Sequence, residues 1–262
     1  MDKLNELKQY FASLNDVAIA FSGGVDSAFL LYVASEVCGD RAVAITATLS
    51  SLPKEERQEA ALFCRQYGIR QREVTIDEFA IEGYAQNPVD RCYICKHRIF
   101  EVIKTTAAEL NLLHVCEGSN IDDEGDYRPG LKALEELGIE SPLRKLGFTK
   151  EDIRKYSKML GLPTWDKPAL ACTATRFAYG DILTVEKFTR VQEAERYLHS
   201  MGFTQLRARV HGSLLRLEVL PEQINLAMTN RENISTKMHE LGFDFVTLDM
   251  DGFSSGSMNR LV

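Results

Sequence analysis

Three sets of residues in this chain combine types and spacings that could carry chemistry. The first is Ser22-Gly23-Gly24-Val25-Asp26-Ser27. Adjacent glycines let a backbone approach a phosphate closely, their N–H groups can turn toward it, and two serine hydroxyls add donors. Asp26 is a hard oxygen ligand of the kind Mg²⁺ takes. An ordinary strand-to-helix turn would also use two glycines. The serines, the aspartate and the strand–loop–helix setting favour an anion cradle at a helix N-terminus. A Walker loop would place Lys before its final Ser or Thr, and the absence of one here argues against γ-phosphate transfer. The second set is Glu117-Gly118-Ser119-Asn120-Ile121-Asp122-Asp123, extended by Asp126-Tyr127-Arg128-Pro129-Gly130. Gly118 and Ser119 suit a nucleotide site, and Arg128 could hold a phosphate or carboxylate through two donors. A solvated acidic turn is the alternative.

The third set is thiols. Cys92 and Cys95 lie in Arg91-Cys92-Tyr93-Ile94-Cys95-Lys96, so on a helix start both face one way, where Arg91, Lys96 and the helix dipole would favour thiolates. Two ligands are too few for a closed zinc site, and no second short-spaced pair exists. Cys172 is the best third partner. It lies in Lys167-Pro168-Ala169-Leu170-Ala171-Cys172-Thr173-Ala174-Thr175-Arg176, a small-residue loop that can pack around a substrate, with Lys167 and Arg176 favouring its thiolate. A buried structural cysteine is the competing reading, and it is the one taken for Cys38, Cys64 and Cys116. Further on, Arg207 and Arg209 alternate along one strand with His211, as Arg216 and Glu218 do on the next. A solvated strand face is the default for such charges, yet paired arginines also suit a phosphorylated, carboxylate-bearing substrate.

Elements must bring these residues together. Apolar spacing predicts a helix over residues 3–14, a buried strand over 17–21, and a helix over 26–37 that starts at the Gly-rich turn. The alternation continues with a strand at 42–48, a helix at 54–67, a strand at 71–76, a helix at 92–110 and a strand at 112–116. Short strands separated by helices imply an α/β fold with a doubly wound parallel sheet, and ligands outside the carboxyl ends of its strands. Thr149 to Asp152 resembles a capping box opening a helix to 159, and residues 164–182 read as irregular. The pattern then changes to helix (184–201), strands (205–210 and 214–219), helix (231–241) and strand (243–248), a smaller C-terminal α+β domain. The expected division is 1–180 and 181–262.

The chain has 262 residues, 45% hydrophobic and 26% charged, close to the globular average, which excludes disordered and collagen-like classes. Thirty-one basic against 38 acidic residues give a net charge of −7, which argues against broad nucleic-acid binding while allowing a local basic pocket. The longest stretch without Asp, Glu, Lys or Arg, residues 42–53, is well short of the roughly 18–20 that span a bilayer. No secretory signal is readable at the charged N-terminus, so a cytoplasmic protein without membrane partners is expected.

The hexapeptide at 22–27 matches the pyrophosphate-binding loop of the ATP pyrophosphatases. With residues 126–130, the cysteine loop 168–176 and Gly256-Ser257-Met258-Asn259, the chain resembles, over nearly its whole length, the ATP-dependent sulfur transferases of nickel-pincer nucleotide cofactor synthesis. The resemblance implies an adenine nucleotide alpha hydrolase-like domain using ATP and Mg²⁺, cleavage between the α and β phosphates, and a C-terminal domain for substrate and assembly. It implies adenylation of pyridinium-3,5-biscarboxylic acid mononucleotide and sulfur delivery to form a thiocarboxylate. On these positions Ser22, Gly23, Gly24, Val25, Asp26, Ser27, Thr46, Gly118, Ser119 and Arg128 would hold the nucleotide. Cys172, Asp26 and Arg176 would be catalytic, and Arg176, Arg207 and Arg209 would hold the substrate. Either Cys92, Cys95 and Cys172 carry a [4Fe–4S] cluster with an extra sulfide, or Cys172 surrenders its own sulfur and becomes dehydroalanine. A homohexamer is also implied. The alternatives are a tRNA-thiolating enzyme of the same superfamily, disfavoured by the acidic charge and the lack of a Lys/Arg-rich segment, and a nucleotide-binding sensor without chemistry.

Overall fold

The computed structural model describes residues 2–123, 130–168, 171–254 and 257–258. The chain runs α1 (Lys3–Leu14), β1 (Val17–Ala20), α2 (Val25–Cys38), β2 (Ala42–Thr48), α3 (Lys54–Gln66), β3 (Arg70–Thr75), α4 (Arg91–Glu109) and β4 (Val115–Cys116). It continues through α5 (Gly130–Glu136), α6 (Pro142–Lys145), α7 (Lys150–Met159), α8 (Val185–Ser200), β5 (Leu206–His211), β6 (Leu214–Val219), α9 (Ile224–Thr229), α10 (Arg231–Glu240) and β7 (Phe245–Leu248). Two compact units result: Met1–Ile81 with Cys92–Leu170, and Glu82–Arg91 with Ala171–Val262. The second therefore takes a segment from the middle of the first, which a linear division at residue 180 does not contain.

In the first unit β1 is mostly apolar because both its faces are covered. Val17 and Ile19 join the core built with α1, α2 and α3, whereas Ala18, with Val43 and Ile45 of β2, joins the one built with α4 and α5. The sheet order is β3-β2-β1-β4 and every pair is parallel. The chain steps outward from β1 to β3 and then returns to the other side of β1 with β4. The loops after β1 and β4 thus flank the point where strand order reverses, the usual ligand crevice of such sheets.

The strand expected over 112–116 shrinks to Val115–Cys116. Leu112 N donates to Ala107 O at the end of α4 and Leu113 N to Asp16 Oδ1 at 2.7 Å, so the ladder begins only afterwards. The capping box at α7 forms as the sequence predicts: Thr149 Oγ1 accepts from Asp152 N at 3.0 Å and Asp152 Oδ2 from Thr149 N at 3.1 Å.

In the second unit β5 and β6 form an antiparallel hairpin turning at Gly212 (φ +62°), and β7 pairs parallel to β6 after crossing through α9 and α10. Its core includes Phe188, Val191 and Leu198 of α8, Leu206 and Ala208 of β5, Leu215 and Leu217 of β6, and Ile234 and Met238 of α10. Among the described residues no helix is long and apolar enough to cross a membrane.

Candidate active site

The loop between β1 and α2 folds on its own side chains. Ser27 Oγ donates to Gly24 O at 3.2 Å and lies 3.1 Å from Ser22 Oγ, and Ser22 N donates to Ser27 Oγ at 3.3 Å. Gly23 sits at φ +77°, a conformation that costs a residue with a side chain. Gly24 caps α2, whose first-turn N–H groups lack intrahelical acceptors and carry the positive end of the dipole. Gly24 N donates to Ser22 Oγ at 3.4 Å, so hydroxyl and N–H donors gather at the helix N-terminus.

The loop after β4 is pressed against this cradle. A Cβ on Gly118 would lie 3.0 Å from Ser27 N and 3.2 Å from the Asp26 carbonyl carbon, so a side chain there would force the two loops apart by a few tenths of an ångström. Buried Glu117 fixes the next turn, accepting from Ser119 N at 3.0 Å, Ser119 Oγ at 2.7 Å and Ser141 Oγ. Asn120 is buried, and its Nδ2 finds no hydrogen-bond acceptor among the described residues. Thr46, also buried, lies near the carboxyl end of β2 and accepts from Gln71 Nε2 at 2.8 Å.

Two lysines complete the rim. Lys150 opens α7, its backbone N–H donates to Asp122 at 2.7 Å, and its ammonium pairs with Asp26 Oδ2. Burial pushes the Asp26 carboxyl above its usual range, and Lys150 draws it back only in part. Asp26 Oδ1 is buried with no hydrogen-bond partner among the described residues. An under-satisfied carboxylate beside an anion cradle fits a divalent cation, which Asp26 would hold. Lys167, expected to favour the Cys172 thiolate, instead places its ammonium 3.2 Å from Gly23 O and 2.7 Å from both Glu56 and Glu59.

In the second unit Cys172 precedes a 3-10 turn, Thr173–Arg176, and its carbonyl accepts from Thr175 N at 3.0 Å, Thr175 Oγ1 at 2.8 Å and Arg176 Nη1 at 3.3 Å. Arg176 is buried, with Nε and Nη2 each 2.9 Å from a separate oxygen of Glu195. Burial alone would raise the Glu195 carboxyl, but the Arg176 charge and its hydrogen bonds outweigh it and hold the group below its usual range. Arg176 therefore shapes the backbone carrying Cys172. Arg209 is also buried, donating to Glu218 Oε2 at 3.1 and 3.0 Å and to Thr175 O at 3.0 Å. Arg207 is half-buried, its guanidinium 5.0 Å from the Phe253 ring centroid; burial, with Arg176 nearby, brings it down to about 10.

Cys92 and Cys95 are half-buried in the first turns of α4. Among the described residues no group of three or more His, Cys, Asp and Glu side chains is gathered as a metal cage. Cys64 and Cys116 are core residues, and burial raises both thiols, Cys64 to about 12.

A model of the NAD synthase family matches residues 3–93. An uncharacterised protein of Synechocystis sp. is 43% identical over 99% of this chain and 98% of its own length. The pyridinium-3,5-bisthiocarboxylic acid mononucleotide synthase of Lactiplantibacillus plantarum is 35% identical over 94% of this chain and 90% of its own length. The chain belongs to the pyridinium-3,5-bisthiocarboxylic acid mononucleotide synthase family. An uncharacterised protein of Methanocaldococcus jannaschii, 28% identical over 96% of this chain and 95% of its own, extends the likeness.

For a member of this synthase family, an ATP pyrophosphatase group, the fold brings Ser22, Gly23, Gly24, Asp26, Ser27 and Gly118 into contact. Arg128, with most of 126–130, and Gly256 and Asn259 lie outside the described residues. Lys150 carries no sequence signal, since its contact with Asp26 joins positions 124 apart. Glu117 belonged to the motif, but its role as acceptor for Ser119 and Ser141 follows only from the fold.

Proposed function

We propose that this member of the synthase family is an ATP-dependent sulfur transferase acting on pyridinium-3,5-biscarboxylic acid mononucleotide. The observation that carries the reading is the cradle at 22–27 with Gly118 closed against it and a desolvated Asp26 beside it. A substrate carboxylate oxygen attacks the α phosphorus of ATP, the bond to the β phosphate breaks, and pyrophosphate leaves as an acyl adenylate forms. Ser22, Ser27 and the N–H groups of Gly24 and Val25 hold the departing phosphates, and Asp26 would hold a Mg²⁺ ion whose charge would offset theirs. Thr46, Gly118 and Ser119 border the nucleotide, and Arg128 belongs to the same proposal. Arg207 holds the substrate's phosphate or carboxylate, and Arg176 and Arg209 keep the Cys172 turn and the strand face in shape.

Sulfur then replaces AMP at the acyl carbon. In the sacrificial form the Cys172 thiolate attacks that carbon and expels AMP, the Cα proton is lost, the Cβ–Sγ bond breaks, and the thiocarboxylate departs, leaving dehydroalanine. In the cluster form Cys92, Cys95 and Cys172 would hold a [4Fe–4S] group that supplies an exchangeable sulfide. The three-thiol complement supports the cluster form, and assembly as a homohexamer is part of the same proposal. The test is pyrophosphate release with the pyridinium acid, followed anaerobically by iron and acid-labile sulfide analysis and intact mass before and after turnover. Release dependent on the acid is expected, with cluster sulfide present and Cys172 unchanged in mass. Release dependent on tRNA would overturn the substrate, and loss of one H₂S from the native chain would restore the sacrificial form.

A further inference from the structure

Lys167 does something the proposed chemistry does not yet use. Its ammonium lies 3.2 Å from the carbonyl oxygen of Gly23 and 2.7 Å from each of Glu56 and Glu59, three residues apart on α3. The Lys167 and Glu56 side chains are each only 14% exposed. Lys167 is itself held in place: Arg154 of α7 donates to the carbonyls of Trp165 and Lys167, both at 2.8 Å, and Lys167 N donates to Thr164 O. Gly23 meets α3 at the same spot, since a Cβ there would lie 3.3 Å from Ala60 Cβ and 3.7 Å from Glu56 O.

A trans peptide points its C=O and N–H in opposite directions, so fixing the Gly23 oxygen fixes the Gly24 N–H. Flanked by glycines, that peptide unit has unusual freedom to turn over, and the flipped form would aim a carbonyl oxygen at an incoming phosphate. We propose that Lys167 is a positioning residue that locks the Gly23–Gly24 peptide with its N–H toward the cradle, readying it for the phosphates of ATP or for free pyrophosphate. The inference rests on the reading of residues 22–27 as a phosphate cradle. Two carboxylates more than cancel the charge on Lys167, so orientation of a donor, rather than attraction of an anion, is its contribution.

The experiment titrates magnesium pyrophosphate, and separately adenosine, into the full-length protein and its Lys167→Met variant by calorimetry, with amide hydrogen exchange at Gly24. Expected is a loss of about tenfold in pyrophosphate affinity, the scale of one charge-assisted hydrogen bond, with adenosine binding unchanged. Gly24 exchange should quicken, KM for ATP should rise while KM for the pyridinium acid holds, and Lys167→Arg should recover most of the affinity. Should Lys167→Met fail to fold, the Glu56→Gln/Glu59→Gln double variant removes the anchor of the ammonium and is expected to show the same selective loss. Equal pyrophosphate binding by native and variant proteins overturns the inference alone, as does a parallel loss of adenosine. No pyrophosphate uptake by the native protein overturns the cradle reading, and the inference falls with it.

Discussion

Arg207 and Arg209 share one face of β5, and burial gives them different work. Arg209 sits on the fully buried Glu218, which also takes Ser257 Oγ at 2.5 Å and Arg216 at 3.3 Å, so its donors serve the fold. Removing Arg209 leaves the buried carboxylate with Arg216 still 3.3 Å away, so the loss stays at or below the about 3–5 kcal/mol of a fully broken buried pair. Arg209→Met should therefore lower the melting temperature steeply, whatever ligand is present. Arg207 keeps more exposure, donates to Leu206 O at 2.7 Å and lies over the Phe253 ring. Arg207→Ala should melt close to the native protein while KM for the pyridinium acid rises more than KM for ATP. Thermal melts beside steady-state kinetics separate the two; a large melting loss in Arg207→Ala with unchanged KM would reverse the assignment. The alternation that put both arginines on one face was readable from sequence. Which of them finds a buried carboxylate was not, because the register sets Arg207 opposite Glu218 and Arg209 opposite Arg216, yet the diagonal neighbour Arg209 is the one that bonds Glu218.

At the level of elements, the cradle works because two loops from strands adjacent in space, β1 and β4, converge although nearly a hundred residues of sequence lie between them. The strand–loop–helix run at 17–38 was legible because local rules decide it: apolar residues buried on both faces, glycine at φ +77°, and a helix that starts where the glycines end. The capping box of α7 was legible for the same reason. The short helices α5 and α6, seven and four residues long, were not, since one or two turns display no periodicity to read. Lys150 escaped, and Lys167 was assigned to the Cys172 thiolate rather than to Gly23, for the opposite reason, because their partners are distant in sequence and set by packing. The convergence itself rests on Gly118. Gly118→Ala should push a methyl group onto the backbone of Asp26 and Ser27, which cannot swing aside as a side chain would, at a cost of about 1–3 kcal/mol. The expected signature is a lower denaturation midpoint together with a raised KM for ATP. Native ATP kinetics in a destabilised variant would show that the two loops do not cooperate in binding.

At the scale of the molecule, the second unit is not a contiguous piece of chain. Glu82–Arg91 packs with Ala171–Val262 through specific bonds. The buried Asn87 donates to Ala178 O at 2.6 Å and accepts from Gly180 N at 2.9 Å, Leu183 N donates to Ala85 O at 2.8 Å, and Arg91 pairs with Asn87 and donates to Ala174 O at 3.1 Å. The sequence showed residues 77–91 only as a loop, because a segment with little regular structure declares its partner through tertiary hydrogen bonds alone. Residues 171–262 expressed by themselves would lose all of these contacts and leave buried groups such as the Leu183 N–H without their acceptors. Each lost bond costs about 1 kcal/mol, and together they consume a large part of the roughly 5–15 kcal/mol that holds a domain folded. That fragment should therefore melt without a cooperative transition in near-ultraviolet circular dichroism. Joining residues 82–91 to its N-terminus through a flexible linker should restore cooperativity, and Asn87→Ala within the linked version should weaken it again. A fragment of 171–262 that melts as cooperatively as the linked one would show that the segment merely rests on a unit already complete.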